Sequence, residues 1–422
     1  MTIKAEIITI GDELLIGQVI DTNSAWLGKE LNKIGIKVHQ ITSVTDDKQH
    51  ILTALHEAQQ RAQVVLITGG LGPTKDDITK TTLCEYFNTT LIQNDDVLSD
   101  VTAIFAKYNR EVTPTNKLQA LVPSNCTVIR NTRGTAPAML FYTANNGIMV
   151  SMPGVPYEMK TIMELSVLPL LQQHYTLTPV LHSTLLTHAI GESMLAEMVG
   201  TWDDNLPQGM QLAYLPAPSM VKLRLSYYNN DNTIDRVQLL ATKTQELLAI
   251  VNDHVYGFDE DTIEQLIQTY FIQNKLTLTV AESCSGGAIA QAITALAGCS
   301  AYFNGGIVAY SNMLKQTVLG VDEQLIQSHG VVSVEVVEAM AKGALLLGNS
   351  NYSIATSGVA GPDGGTAKKP VGTVCVAIAC SDGRTYSKQL KLVHDRKINI
   401  QLTVQHALHS LYAMAMGKLV TE

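Results

Sequence analysis

AEIITIGDELLIGQVIDTNSAWLGKELNKIGIKVHQITSV, residues 5–44, sets the architecture of the first part of the chain. Its first six residues are a short apolar run, the length of a buried strand and too short for a helix. A glycine- and acid-rich turn follows. Residues 21–35 then repeat apolar side chains at helical spacing, with Asp21 placed as the N-cap. IKVHQITSV (36–44) returns to a strand pattern, QHILTALHEAQQRA (49–62) is helical, and QVVLITGG (63–70) is a further strand. Strand, helix, strand, helix, strand in that order predicts a largely parallel, doubly wound α/β sheet. Such sheets hold ligands at the carboxyl ends of their strands. The turns at 11–13 and 69–77 both fall there.

The totals bound the rest. The chain has 422 residues, which at ~150 per domain predicts two to four domains. Its 46% hydrophobic and 16% charged content is that of a globular chain with a buried core. No apolar run approaches the ~18 residues of a membrane span. The acidic pair Asp12 and Glu13 comes where a signal peptide carries basic and apolar regions. A cytoplasmic protein without membrane contact is expected. A net charge of −9 and the lack of a Lys/Arg cluster disfavour nucleic-acid partners. The six cysteines, at 84, 126, 284, 299, 375 and 380, show no CxxC spacing. They read as reduced core residues and suggest no zinc site.

After SMPGVPYEMK (151–160) the pattern changes. VLHSTLLTHAIGESMLAEMVG (180–200) and the alternating MVKLRLSYY (220–228) predict a small α+β module, ending as DHVYGFDEDTIEQLIQTYFIQNK (253–275) opens a helix. Beyond it, LTVAE, GGIVAYS, SIATSGVAG and TVCVAIA alternate with helical segments, and a closing helix starts at about 397. Three domains are expected: doubly wound α/β over 1–170, small α+β over 171–257, and a second α/β domain over 258–422.

In that last domain an apolar strand runs into three side-chain nucleophiles, Ser283, Cys284 and Ser285, then Gly286, Gly287 and a small-residue helix. A strand-to-helix turn aims backbone N–H groups at an anion, either a phosphate or a tetrahedral oxyanion. A tight turn capped by Ser285 fits the same residues. Further on, Tyr310 and Lys315 lie five apart past another strand. A desolvated lysine can serve as the base of a serine hydroxyl, and a surface lysine opening a helix has the same spacing. Consecutive strand residues face opposite sides, so Ser283 and Cys284 are not both expected to face one site. His406 and His409, three apart near the C-terminus, read as ordinary helix residues.

AESCSGG, GCSAYFNGGIVAYSNMLK, LGV, GVVS, TSGVAGPDGG, KPVGTV and HDRKINI, in that order between 281 and 400, resemble the C-terminal domain of the CinA (competence/damage-inducible protein A) family. That resemblance implies a nicotinamide mononucleotide (NMN) deamidase, which hydrolyses the carboxamide of NMN to nicotinate mononucleotide and ammonia without a metal. It implies Ser283 as nucleophile, with Tyr310 and Lys315 activating it and passing a proton to ammonia. Cys284, Ser285, Gly286, Gly287, Asn312, Thr356, Ser357 and Gly358 would line the substrate site, and Arg396 would either meet the nucleotide phosphate or hold the site together.

At the other end, GDELLIGQVIDTN (11–23), TGGLGPTKDDIT (68–79), RNTRGTAPAML (130–140) and MPGVPYEMK (152–160) resemble the molybdopterin-binding fold as it occurs in the same family. The residues alone fit either two capped helix starts with solvated carboxylates or a pyrophosphate site with a divalent cation. The resemblance implies ADP-ribose pyrophosphatase activity, yielding AMP and ribose 5-phosphate with Mg, Mn or Co and with potassium. Gly11, Asp21, Asn23, Gly69, Gly70, Gly72 and Thr74 would hold the nucleotide, and Asp12, Glu13, Asp76 and Asp77 would lie near the metal. Where the family usually reads GTAPG this chain has Ala138, whose methyl is expected to crowd a backbone contact. IGESMLAEMV (190–199) resembles the family's middle segment. The resemblance also implies a homodimer. A non-catalytic nucleotide- or pterin-binding module is the alternative for the N-terminal domain.

Overall fold

The computed structural model describes residues 3–74, 76–143, 146–217, 220–228 and 235–418. The chain divides into two compact units, Met1–Leu181 and His182–Glu422. No helix among the described residues is long and apolar enough to cross a membrane.

The first unit is built on a six-stranded sheet in the order Lys37–Val44, Lys4–Ile10, Val64–Thr68, Gly147–Met152, Ala138–Thr143, Thr127–Ile129. The first four strands run parallel and the last two pairings are antiparallel. Beyond the exposed Lys4, Lys4–Ile10 and Val64–Thr68 are buried throughout because helices cover both faces of the sheet. Ile7, Leu66 and Val150 pack with Leu27, Leu31 and Met159 on one side. Ile8, Ile67 and Met149 pack with Ile51, Leu55 and Leu83 on the other. The helix predicted over 21–35 is Thr22–Lys33, and the Asp21 carboxylate accepts the Ser24 N–H at 2.9 Å. The boundary expected near 170 falls inside continuous helix, Pro156–Ile162, Met163–Val167 and Leu168–His174. Val167, Leu171 and Tyr175 are buried in the first sheet's own cluster, which keeps this helix with the first unit.

The second unit contains two sheets. A four-stranded one, ordered Met210–Ala217, Met220–Tyr227, Leu181–His188, Val255–Phe258, packs on helices Glu192–Asp203 and Arg236–Val251. A five-stranded one is ordered Phe303–Val308, Leu278–Glu282, Tyr352–Gly358, Thr373–Cys380, Thr385–Lys391. Its first three strands are parallel and the remaining pairings antiparallel. Ile263–Gln273 and the closing helix Arg396–Ala415 bury one face, and Val334–Gly348 the other. The carboxyl ends of the parallel strands, at Glu282, Val308 and Gly358, open onto the segments the sequence marked as reactive.

Candidate active site

Ser283 is the first residue beyond Leu278–Glu282, and its N–H donates to the Thr356 carbonyl of the neighbouring strand at 3.0 Å. Lys315 lies on the short helix Asn312–Thr317, which Ser311 caps by accepting the Leu314 N–H. Its side chain is 1% exposed. Nζ stands 3.1 Å from Ser283 Oγ, 2.7 Å from the Ala309 carbonyl and 3.3 Å from the Tyr310 carbonyl. Burial lowers the lysine pKa below its ordinary 10.5. A neutral amine has two N–H donors and one lone pair. Only in that neutral form, with its two donors given to the two carbonyls, does Nζ have a lone pair to offer the Ser283 hydroxyl proton; a charged Nζ donates to Ser283 Oγ instead.

Cys284 faces the apolar cluster with Ile289, Ile354 and Val376. Burial pushes its thiol up to about 12, so it carries no thiolate near neutral pH. Gly286 and Gly287 have φ of 64° and 101°, a backbone that side chains resist, and they turn the chain sharply into helix Ala288–Thr294. The sequence suggested that this helix start would meet an anion from the substrate. In the fold it is already taken. The buried Glu282 carboxylate accepts the N–H groups of Gly287 at 3.0 Å, Ile289 at 3.1 Å and Ala290 at 2.8 Å. Of the turn residues, Gly286 donates to the Ser283 carbonyl, while the N–H groups of Cys284 and Ser285 meet no backbone carbonyl among the described residues.

The expected pocket residues divide. Thr356 Oγ1 and Ser285 Oγ share a 2.7 Å hydrogen bond, which ties the turn to the adjacent strand. Ser357 Oγ donates to the Val331 carbonyl at 2.7 Å and is occupied structurally. Gly358 lies against the next strand, where a Cβ would meet Val374 Cγ2 at 2.7 Å, so packing accounts for this glycine. Asn312 is exposed at the helix start. Tyr310 is 60% exposed, and its hydroxyl accepts from Arg396 Nη2 at 3.4 Å. What Tyr310 presents to Lys315 is its carbonyl, not the phenol the sequence reading assigned to proton transfer. Arg396 also donates to the Gly361 carbonyl at 3.0 Å, and its charge is felt at Cys284. Beneath it, the buried Asn399 donates to the carbonyls of Ala360 and His394, holding the loop after Gly358 to the closing helix.

In the first unit, Asp12 and Asp46 bridge two strand ends: Asp12 N–H donates to Asp46 Oδ2 and Asp46 N–H to Asp12 Oδ1. Burial raises the Asp46 carboxyl pKa, and the charges of Asp12, Glu13 and Asp77 add to the rise. These acids therefore share one neighbourhood. Asp77 organises the glycine turn by accepting the N–H groups of Gly72 at 2.7 Å and Thr74 at 2.9 Å, while Asp76 is exposed. A Cβ at Gly69 would fall on the Ile10 carbonyl, and one at Gly70 on the Thr79 hydroxyl. Asp21 is spent on its helix cap. Asn23 donates to Thr68 Oγ1 and the Gly154 carbonyl, and its Oδ1 is buried without a partner among the described residues. Ala138 opens the strand Ala138–Thr143 and is buried in the first sheet's apolar cluster.

Four residues escaped the sequence reading. Asp46 is a lone acid after a strand, Glu282 reads as a polar strand residue, and Glu158 sits inside a helix. Lys80 reads as a surface residue, yet it is buried, donates to the Gln119 carbonyl at 2.9 Å, and burial pushes its pKa down to about 8. Glu158 accepts from Asn131 Nδ2 at 2.6 Å, which fixes the 131–136 loop.

Comparison with known proteins gives three family matches covering almost the whole chain. Residues 6–173 match the Probable molybdopterin binding domain, 182–257 the Damage-inducible protein CinA KH domain, and 260–415 the CinA C-terminal domain. The chain is 47% identical over 411 residues to the CinA-like protein of Flavobacterium psychrophilum, covering 97% of this chain and 98% of the relative. It is 42% identical over 402 residues to the CinA-like protein of Cytophaga hutchinsonii, covering 95% of each. Among solved structures, the competence/damage inducible protein CihA of Agrobacterium tumefaciens is 39% identical, with 36% of this chain and 94% of that chain covered and a TM-score of 0.35.

Proposed function

Because the chain belongs to the CinA family, we propose that its C-terminal domain is an amidohydrolase converting NMN and water to nicotinate mononucleotide and ammonia. The observation that carries this reading is the buried Lys315 amine 3.1 Å from Ser283 Oγ. The neutral amine takes the hydroxyl proton as Oγ attacks the carboxamide carbon. The resulting oxyanion meets the N–H groups of Cys284 and Ser285. The C–N bond then breaks, Lys315 returns the proton to the leaving ammonia, and an acyl ester remains on Ser283. Water adds to that ester, losing a proton to Lys315; as the C–Oγ bond breaks Lys315 passes that proton to Oγ, which releases the acid and restores the serine hydroxyl and the neutral amine. Arg396 and Tyr310, at the exposed rim, take the 5′-phosphate. The test is ammonia release from NMN by the full chain. Turnover that is absent in the wild type, or that survives in Ser283→Ala, overturns the assignment.

For the N-terminal domain the proposal is binding of ADP-ribose at the strand ends around Asp12, Asp46 and Gly69–Gly72, with cleavage to AMP and ribose 5-phosphate supported by Mg, Mn or Co and by potassium. The carboxylates offer the hard oxygen donors such cations take. Yet among the described residues no three His, Cys, Asp or Glu side chains stand close enough to hold one. AMP release by the Ser283→Ala chain, with each cation in turn, tests cleavage; binding without AMP makes the domain a ligand-binding module. The middle domain is not proposed to contact nucleic acid. Its helix Glu192–Asp203 carries Glu192, Glu197 and Asp203 and no lysine or arginine, while Met220–Tyr227 and Arg236–Val251 bring Lys222, Arg224, Arg236 and Lys243; the support for leaving nucleic acid out is the net charge of −9. A cytoplasmic homodimer completes the proposal, and sedimentation of the full chain reads its mass.

A further inference from the structure

The buried carboxylate of Glu282 has no part in the steps above, and it shapes the geometry on which they depend. It is 1% exposed and accepts three N–H groups, from Gly287, Ile289 and Ala290, at 2.8–3.1 Å. A helix start leaves its first N–H groups unpaired, with positive charge gathered there. An anionic acceptor satisfies them and opposes that charge. The same residue ends the strand, so one side chain fastens the strand end to the helix start across the five-residue turn 283–287. Two further ties hold the turn on its other side: Ser283 N–H to the Thr356 carbonyl, and Ser285 Oγ with Thr356 Oγ1. Between these anchors, the N–H groups of Cys284 and Ser285 meet no backbone carbonyl among the described residues.

Resting on the Ser283 reading above, we infer that Glu282 is a positioning residue for the amidohydrolase. By occupying the helix start it excludes Gly287, Ile289 and Ala290 as donors to substrate, and by fixing the turn it makes the Cys284 and Ser285 amides the oxyanion donors. Its effect belongs to the transition state. The amides gain a charged partner only when the carboxamide oxygen becomes tetrahedral, and NMN binding rests on other groups.

Glu282→Gln tests this in the full chain. The amide has almost the same shape, but only one of its two terminal atoms can accept, so one of the helix N–H groups loses its partner. The expected result is a kcat for NMN lowered ~10–100-fold, somewhat less than the ~10²–10³ typical of deleting an oxyanion donor outright, with KM within about twofold. The pH limb set by Lys315 stays where it was. Amide exchange at Gly287, Ile289 and Ala290 accelerates, and Glu282→Asp recovers part of kcat. An unchanged kcat overturns the inference, as does a displaced pH limb, which would mean that Glu282 acts on Lys315. If Glu282→Gln does not fold, Glu282→Asp is measured in its place, and a wild-type kcat there is equally fatal. Loss of the NMN reading itself shows up separately, as a wild-type chain without turnover. In that case amide exchange still decides: protection at the three helix amides that survives Glu282→Gln rules out the positioning role.

Discussion

Lys315 can accept a proton only when neutral, and burial moves it toward neutrality. The rate of NMN turnover should therefore rise with pH along a limb whose midpoint lies below 10.5, and Lys315→Ala should lower kcat by about 10²–10⁴. The same shift has a sign for stability. The unfolded lysine binds a proton that the folded one resists, so this group's share of stability grows with pH up to 10.5 and is lost below its folded value. A pH–rate profile checks the first statement, and a flat profile through that window refutes it. At Cys284 the thiol lies at about 12 amid apolar neighbours. Cys284→Ala should keep turnover and cost roughly 1 kcal/mol of stability from the lost packing, read by denaturant unfolding. Sequence spacing alone left Ser283 and Lys315 each with a bland explanation, and their pairing came from family resemblance. Glu282 escaped because its role depends on amides five to eight positions away, which only the folded turn brings to it.

Among the helices, Val334–Gly348 poses propensity against packing. Gly343 lies within it, where alanine ordinarily favours the helix by about 1 kcal/mol. A Cβ at this position, however, would fall on the Leu319 carbonyl, main chain that cannot swing aside. Packing wins: Gly343→Ala should lower stability by roughly 1–3 kcal/mol, and a raised melting temperature would contradict the fit. Asp21→Ala removes the acceptor of Ser24 N–H and should cost about 1 kcal/mol. The cap and the element order were legible because both are local. The break between units was not, since what keeps 168–174 with the first sheet is the distant partners of Leu171 and Val167.

His406 and His409, which looked like ordinary helix residues, join the closing helix to the middle module. The His409 ring stacks on His188 at 3.8 Å and meets Tyr256 edge-on at 4.3 Å, while His406 Nε2 lies near Tyr386 Oη and Ser410 Oγ. Burial, helped by His188 and by Lys388 beside His406, lowers His406 to about 4 and His409 to about 2. Below 6.5 the unfolded chain takes up protons that these rings refuse. Stability should therefore fall as pH drops, by about 1.4 kcal/mol per unit for each ring until its folded value is reached. Melting temperature measured from pH 6.5 to 4 should drop less steeply in His409→Phe, which keeps a ring without a titration; an equal slope would remove the histidine from the account. The junction also makes the domain's ionic character depend on its neighbour in the chain. A protein severed after residue 257 would expose His409 to water on the side that His188 and Tyr256 now cover. It would regain ordinary titration there and migrate at mildly acidic pH as a more cationic species than the same residues do in the intact chain.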